Sequence, residues 1–314
     1  MPTAMNHPHR SKAYVALALT SVLWGTTWVG SKVGISTGIH PLYFSSIRQL
    51  LGGSCFLLYF LATGKAVWPT PRQWAFLAAM GFLLFVCSNG LTTWGLKYIN
   101  SGLGAIIGAI APLFVALIDW LLGDKDRPNL VSVAGLVLGF LGVGVIFYEH
   151  LTDFSQPNFI LGIVLSTMGT FTWSVGTVVL SGKTKVRLNQ FYSLGWQMFI
   201  AGAILFVISH ASGLAIPISS FTPKLWLAFA WMVSMGSVLA FGAFLYTIKH
   251  LPTTLASIYA YINPIVAVLL GHFLLGEGWS AYLVAGALIT LLGVYLVKRG
   301  YKKALIDNAE PDAA

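Results

Sequence analysis

Ten runs of about twenty mainly apolar residues follow one another along this chain, joined by links too short to hold a domain. They fall at 13–34, 41–62, 74–96, 101–122, 130–149, 158–180, 189–210, 225–247, 254–275 and 280–298. At 1.5 Å per residue, a helix of that length matches the hydrocarbon thickness of a bilayer. Only 9% of the 314 residues are charged and 57% are hydrophobic. Water-soluble domains carry about a quarter charged residues, and a fold of this size cannot hide so much apolar surface. The solvent for most of the chain is therefore lipid. An all-α membrane protein of ten transmembrane helices is predicted, because helices satisfy their backbone polar groups without water.

The first run follows Arg10 and Lys12, as the core of a signal peptide would. It is too long and lacks a small-x-small cleavage site, so it is read as a retained first span. Cys55 and Cys87 lie inside apolar runs and read as small buried hydrophobes.

The net charge of +9 does not point to nucleic acid. The basic residues sit in short links, with no patch interleaved with aromatics. They instead set an orientation. With the N-terminus inside, the inner segments hold Arg10, Lys12, Lys65, Arg72, Lys125, Arg127, Lys183, Lys185, Arg187, Lys249, Lys298, Arg299, Lys302 and Lys303; the outer ends hold Lys32, Lys97 and Lys224. The positive-inside rule then places both termini on the cytoplasmic side; a multi-pass protein of the cell inner (plasma) membrane is expected.

The chain also repeats itself. Residues 74–122 align without gaps on 226–274, with identities that include Trp74/Trp226, Gly90/Gly242, Lys97/Lys249 and Pro112/Pro264. Smaller shifts match Trp24 with Trp173, Gln49 with Gln197, and 135–143 with 286–294. Each unit holds five helices. Five is odd, so the second unit enters the membrane from the other side and the repeats are inverted. Such repeats characterise secondary transporters that alternate access around a central site. The expected organisation is a tail at 1–12, a five-helix repeat at 13–149, a second at 158–299 and a tail at 300–314, with disorder up to about Ser11 and after about Tyr301.

Several motifs carry a family resemblance: Leu23-Trp24-Gly25-Thr26-Thr27-Trp28-Val29, Arg48, Ala111-Pro112-Leu113, Asn263-Pro264-Ile265-Val266-Ala267 and Leu275-Gly276-Glu277. With these the chain resembles the drug/metabolite transporter superfamily, specifically its EamA-type ten-helix members, over about residues 13–299. The resemblance implies a pathway between the halves lined by spans 1 to 4 and 6 to 9, with spans 5 and 10 peripheral. It also implies export of amino acids, metabolites or drugs.

Arg48 lies about eight residues into the second span, roughly 12 Å deep. A cation there costs at least about 2.5 kcal/mol unless it faces protein or water. It either attracts an anionic group of the cargo or ties backbone carbonyls and neighbouring helices together. None of the nine carboxylates falls mid-span, and Asp119 comes closest. A proton-driven pump commonly keeps an acid in its core. Facilitated exchange or uniport is therefore expected, or coupling through another group such as His272.

Pro112 and Pro264 occupy equivalent places in spans 4 and 9 and each removes a helix hydrogen bond; the freed backbone either lines a cavity or is buried in protein, and a hinge near the pathway is expected. Polar and aromatic residues inside lipid-embedded helices turn inward. Trp24, Thr27, Asn89, Thr93, Trp173, Tyr246, Tyr259, Tyr261 and Asn263 are accordingly the remaining pathway candidates, with ordinary packing as the alternative for any one aromatic. Gly104-x-x-x-Gly108 and Ala256-x-x-x-Ala260 read as faces that let helix backbones approach.

Ser181-Gly182-Lys183-Thr184 imitates the end of a phosphate-binding loop, but Thr177 stands where its first glycine belongs. No metal-ligand spacing occurs, and no cofactor is called for. The expected partners are a small-molecule solute and the lipid bilayer; the sequence leaves the oligomeric state open. A membrane-embedded enzyme would need converging catalytic groups, and a channel-like permease a ring or filter. A secondary transporter, not an enzyme, fits best.

Overall fold

The computed structural model describes residues 7–121, 130–149, 155–181, 188–251, 259–278 and 280–307. They form ten helices, and no strand occurs among the described residues. They are α1 (His7–Ile35), α2 (Pro41–Ala62), α3 (Pro71–Gly95), α4 (Ser101–Ala109 and Ala111–Leu121), α5 (Leu130–Glu149), α6 (Pro157–Ser181), α7 (Gln190–Ala211), α8 (Pro223–Trp231, Met232–Leu239 and Ala240–His250), α9 (Tyr259–Leu275) and α10 (Ala281–Asp307). Seven are long and apolar enough to cross a membrane, and three shorter apolar stretches, Leu130–Ile146, Ile262–Leu275 and Ala281–Val297, complete the ten. The sequence prediction of disorder at 7–11 and 301–307 is corrected: both are helical. Extending an existing helix adds one hydrogen bond per residue fixed, so it can outrun the membrane.

Local chemistry sets the helix starts. Thr70 and Gln73 form a reciprocal capping box before α3, with Pro71 at its first turn. Asn100, Asn189 and Thr222 cap α4, α7 and α8. The interiors of α3 and α8 depart from α geometry at Phe82–Gly90 and Met232–Leu239, where the turns are π-helical. These stretches overlap under the 152-residue repeat, so the widening belongs to both halves.

The inverted duplication is visible contact by contact. Helices α2 and α7 run antiparallel, with Phe60 beside Tyr192 (5.1 Å between ring centroids) and Tyr43 beside Phe206 (6.0 Å). A Cβ added at Gly53 would lie 2.6 Å from Phe199 N and 2.7 Å from Gly195 O; one at Gly202 would lie 2.6 Å from Leu50 N and 3.0 Å from Ser46 O. Each contact becomes the other when residue n of the first half exchanges with n+149 of the second. The α5–α10 pair behaves likewise at a shift of 151. Gly135 approaches Val297 N and Gly293 O, whereas Gly286 approaches Ile146 N and Gly142 O. Lipid gives helices no hydrophobic reason to associate, so backbones this close, allowed by glycine, supply the attraction through packing.

These reciprocal contacts correct one sequence match. The partner of Gln197 under the structural shift is Arg48, not Gln49. The remaining helices exchange between halves: α1 packs on α8 and α9, while α6 packs on α3 and α4. A twofold axis that relates antiparallel equivalent helices lies across the helix directions, in the plane of the membrane.

Gly104 and Gly108 do not bring two backbones together as predicted. They form a notch for the indole of Trp28, whose Cζ2 would lie 2.6 Å from a Cβ at Gly108. Ala256 lies outside the described residues. Large apolar side chains such as Leu58, Leu61, Val137, Leu141, Phe273 and Leu288 point outward, as a lipid-facing surface requires.

Candidate substrate pathway

Arg48 is 9% exposed on α2, two turns from the helix start. One guanidinium nitrogen donates to Asn89 Oδ1 at 3.4 Å, at the long end of the hydrogen-bond range, and Nε is buried without a partner. Among the described residues no backbone carbonyl takes a bond from this side chain. The bond to Asn89 links α2 to α3, so the side chain ties two helices without using backbone carbonyls. Asn89 lies next to the end of the π-helical stretch of α3, and its Nδ2 donates to the Leu84 carbonyl at 3.0 Å. One turn beyond Arg48, on the same face of α2, Gly52 makes room for the Met198 methyl of α7, 2.5 Å from a Cβ there, and for Ser237 of α8, whose Oγ would lie 3.4 Å away. Ser237 is 0% exposed and its hydroxyl has no partner. Arg48 Nε and Ser237 Oγ are thus two buried polar groups without partners along this side of α2. Ser237 escaped the sequence reading, because a serine in an apolar run carries no signal of its own.

A second group surrounds α1. Trp24 Nε1 donates to the Gly236 carbonyl at 3.2 Å, one residue before Ser237. Its ring meets Phe241, Phe244 and Tyr259 at 5.1, 5.0 and 4.9 Å between centroids. Thr27 donates to the Trp24 carbonyl at 2.6 Å, and its methyl group lies against Gly236. With its amide oriented to satisfy its neighbours, Asn263 donates to the Ser21 carbonyl at 2.7 Å and to the Tyr259 carbonyl at 3.2 Å. Asn263 thus locks α9 to α1.

Other candidates stand apart. Tyr246 stacks on His250 at 4.2 Å and, with Tyr259, packs around Ala13, Leu17 and Leu251 at the amino-terminal end of α1. Trp173 packs against the buried apolar cluster to which Leu84, Phe85 and Met198 belong. Thr93 is buried one turn beyond Asn89. The backbone of Tyr261 belongs to α9, but its side chain lies outside the described ones. The two prolines differ. Helix α4 is interrupted at Ile110, just before Pro112, and Ser174 Oγ donates to the Ala111 carbonyl at 3.1 Å; Pro264 is buried within a continuous α9.

A clasp joins α9 to α4 at the opposite end of the bundle. After α9, Gly276 (φ 66°) reverses the chain, with its own N–H bonding the His272 carbonyl and the Glu277 N–H bonding that of Gly271. The turn aims Glu277 at the first turn of α4, where its carboxylate accepts from Ser101 N (2.8 Å), Ser101 Oγ (2.7 Å) and Gly102 N (3.3 Å). Unpaired N–H groups and the positive end of the helix dipole both favour an anion there. Gly271 is required, since a Cβ would meet the Glu277 carboxylate and lie 2.7 Å from Ser101 Oγ. Beside the clasp, Lys32 Nζ donates to the Leu96 and Ile99 carbonyls, both at 2.6 Å, closing the end of α3. His272 sits here too, its Nδ1 3.0 Å from the Glu277 carbonyl oxygen, far from the bundle centre.

The sequence profile of the EamA-like transporter family matches residues 11–148 and again 160–299. The chain belongs to this family. Each match covers one five-helix unit of the fold. Among its relatives is the uncharacterized inner membrane transporter YedA of Escherichia coli (strain K12), 30% identical over 294 residues, covering 90% of this chain and 91% of the relative. An uncharacterized transporter of Archaeoglobus fulgidus is 25% identical over 91% of this chain and 97% of its own length. A solved crystal structure matches with a TM-score of 0.65 at 18% identity, over 94% of this chain and 99% of that one, which supports the fold. The EamA-like chain described here is thus a multi-pass membrane transporter of the drug/metabolite superfamily.

Proposed function

We propose that this transporter carries small organic solutes, such as amino acids, metabolites or drugs, by alternating access, with export as its working direction. The observation that carries the reading is the reciprocity of contacts between the halves. The α2–α7 and α5–α10 seams map onto themselves when the repeats exchange. A chain with that symmetry has two related arrangements, one open at each end, of comparable packing energy. In this state the Glu277 clasp and Lys32 hold one end shut. Charge asymmetry in the links favours that end as the outer one, with both termini cytoplasmic, and the name of the Escherichia coli relative favours an inner membrane. The absence of a mid-span carboxylate from the sequence favours exchange or uniport over proton coupling.

Counterflow in proteoliposomes tests this. Vesicles preloaded with an unlabelled metabolite mixture should accumulate the labelled cargo transiently and saturably. A linear, unsaturable flux without trans-stimulation indicates a channel instead. Strict dependence on an imposed pH gradient overturns the coupling assignment.

A further inference from the structure

We propose that Arg48 is the docking point for an oxyanion on the cargo, so that the solutes carried bear a carboxylate or a phosphate. The inference rests on the carrier reading above and specifies its cargo. Arg48 is a permanent cation held inside the bundle, with Nε unpartnered and one long bond to a neutral amide. The sequence places no carboxylate within reach of mid-span, and the clasp carboxylate of Glu277 is engaged at the bundle end with α4. A guanidinium so placed is deficient in acceptors, which a planar oxyanion supplies in a two-pronged bond. Its neighbours suit the same guest. Ser237 Oγ, fully buried and unpartnered beside Gly52, is a second donor from α8, and Asn89 fixes the guanidinium from α3.

The duplication strengthens the argument. Exchange of the halves replaces Arg48 by Gln197 and Asn89 by Phe241, a member of the aromatic cluster around Trp24. The cation is therefore single. One oxyanion neutralises it, and the other half offers rings to an apolar body.

The test uses the full-length protein in detergent and matched ligand pairs: benzoate with benzamide, L-leucine with L-leucinamide, and glycerol 3-phosphate with glycerol. At least one oxyanion should raise the melting temperature saturably where its partner does not, and the responding pair tells carboxylate from phosphate. Arg48→Gln should weaken that response about ten- to a hundredfold, the range for a charge-assisted bond. Arg48→Lys should retain part of it. Asn89→Asp guards against misfolding as the explanation. It places an internal counter-ion against Arg48 at the expense of the bond to the Leu84 carbonyl, so it should abolish the oxyanion response in a protein that still unfolds cooperatively. The proposal is overturned if no oxyanion outperforms its partner, if Arg48→Gln responds like the wild type, or if Asn89→Asp leaves the response intact. Counterflow of the same pairs separates the two readings. Saturable counterflow of a neutral member, unchanged in Arg48→Gln, discards the oxyanion site and keeps the carrier. Oxyanion stabilisation without counterflow of any pair keeps the site and discards carriage.

Discussion

Removal of the Glu277 carboxylate should open the bundle at the clasp. Two of its three contacts are short, to Ser101 N at 2.8 Å and Ser101 Oγ at 2.7 Å. A hydrogen bond to a charged group contributes about 1.5–3 kcal/mol. Glu277 is half-exposed, so the low end applies and the 3.3 Å contact adds little. Glu277→Ala then favours opening by about 2–3 kcal/mol, or roughly thirty- to a hundred-and-fiftyfold in the closed-to-open ratio. Thr93, buried on α3 between Asn89 and the clasp, reports that opening. In a background with Cys55→Ser and Cys87→Ser, Thr93→Cys should react slowly with a membrane-impermeant maleimide, and Glu277→Ala should accelerate it by that factor. Glu277→Gln keeps one acceptor oxygen without the charge and should fall between. If Glu277→Ala lowers the melting temperature but leaves labelling unchanged within about twofold, Glu277 is a fixed helix cap and the gate lies elsewhere.

Three further outcomes follow from the same contacts. Gly293→Val forces a branched side chain into the backbone of Gly139. It should cost about 1–3 kcal/mol or more, read as a drop in melting temperature. Trp28→Ala empties the Gly104–Gly108 notch and should cost about 3–5 kcal/mol. Gly108→Ala should be damaging beside Trp28 and nearly neutral in the Trp28→Ala background, which a double-mutant cycle measures. His40 caps α2 by accepting from Leu42 N through Nδ1. Burial chiefly, and the nearby Lys97 secondarily, hold its imidazole below the usual 6.5. A depressed folded value means protonation favours the unfolded chain. Stability should be full above about pH 6.5 and fall as the pH drops through the lower folded value. His40→Asn keeps a cap without a titrating group and should flatten that fall.

The fold was legible because lipid leaves few choices: a run of twenty apolar residues is a helix, and short links force neighbours to be antiparallel. Boundaries such as 41–62 and 130–149 match the structure to the residue. The odd-numbered repeat gave the inverted symmetry, since handedness of insertion follows from counting. The site was less legible. Arg48 stood out by its charge, and its Asn89 partner by polarity in an apolar run. Ser237 needed the closeness of α2 and α8 at Gly52, which no local pattern encodes. Glu277 lay in plain view within Leu275-Gly276-Glu277, and Gly276 marked a helix end. That its carboxylate caps a helix of the other half is a long-range contact, invisible to periodicity. The Gln49/Gln197 identity misled by one residue, because chemical identity on a helix does not fix register. Backbone contacts at Gly53 and Gly202 do.

Symmetry and chemistry divide the work between the halves. The proposed alternating access requires that the two arrangements be close in energy, and nearly identical seams favour this: Gly53 with Gly202, Gly135 with Gly286. Had the duplication also copied Arg48, two buried cations would repel across the interior, and a cargo would need two anionic groups to relieve both. Gln197 at the equivalent place is 6% exposed and neutral. Replacing it with arginine is therefore a sharp perturbation of that logic. Gln197→Arg leaves the glycine seam untouched. It should lower the melting temperature without ligand and restore it preferentially with a dicarboxylate such as succinate over a monocarboxylate such as benzoate. If Gln197→Arg is as stable as the wild type and shows no such preference, position 197 does not share the interior that Arg48 faces, and the division of labour between the repeats would have to be redrawn.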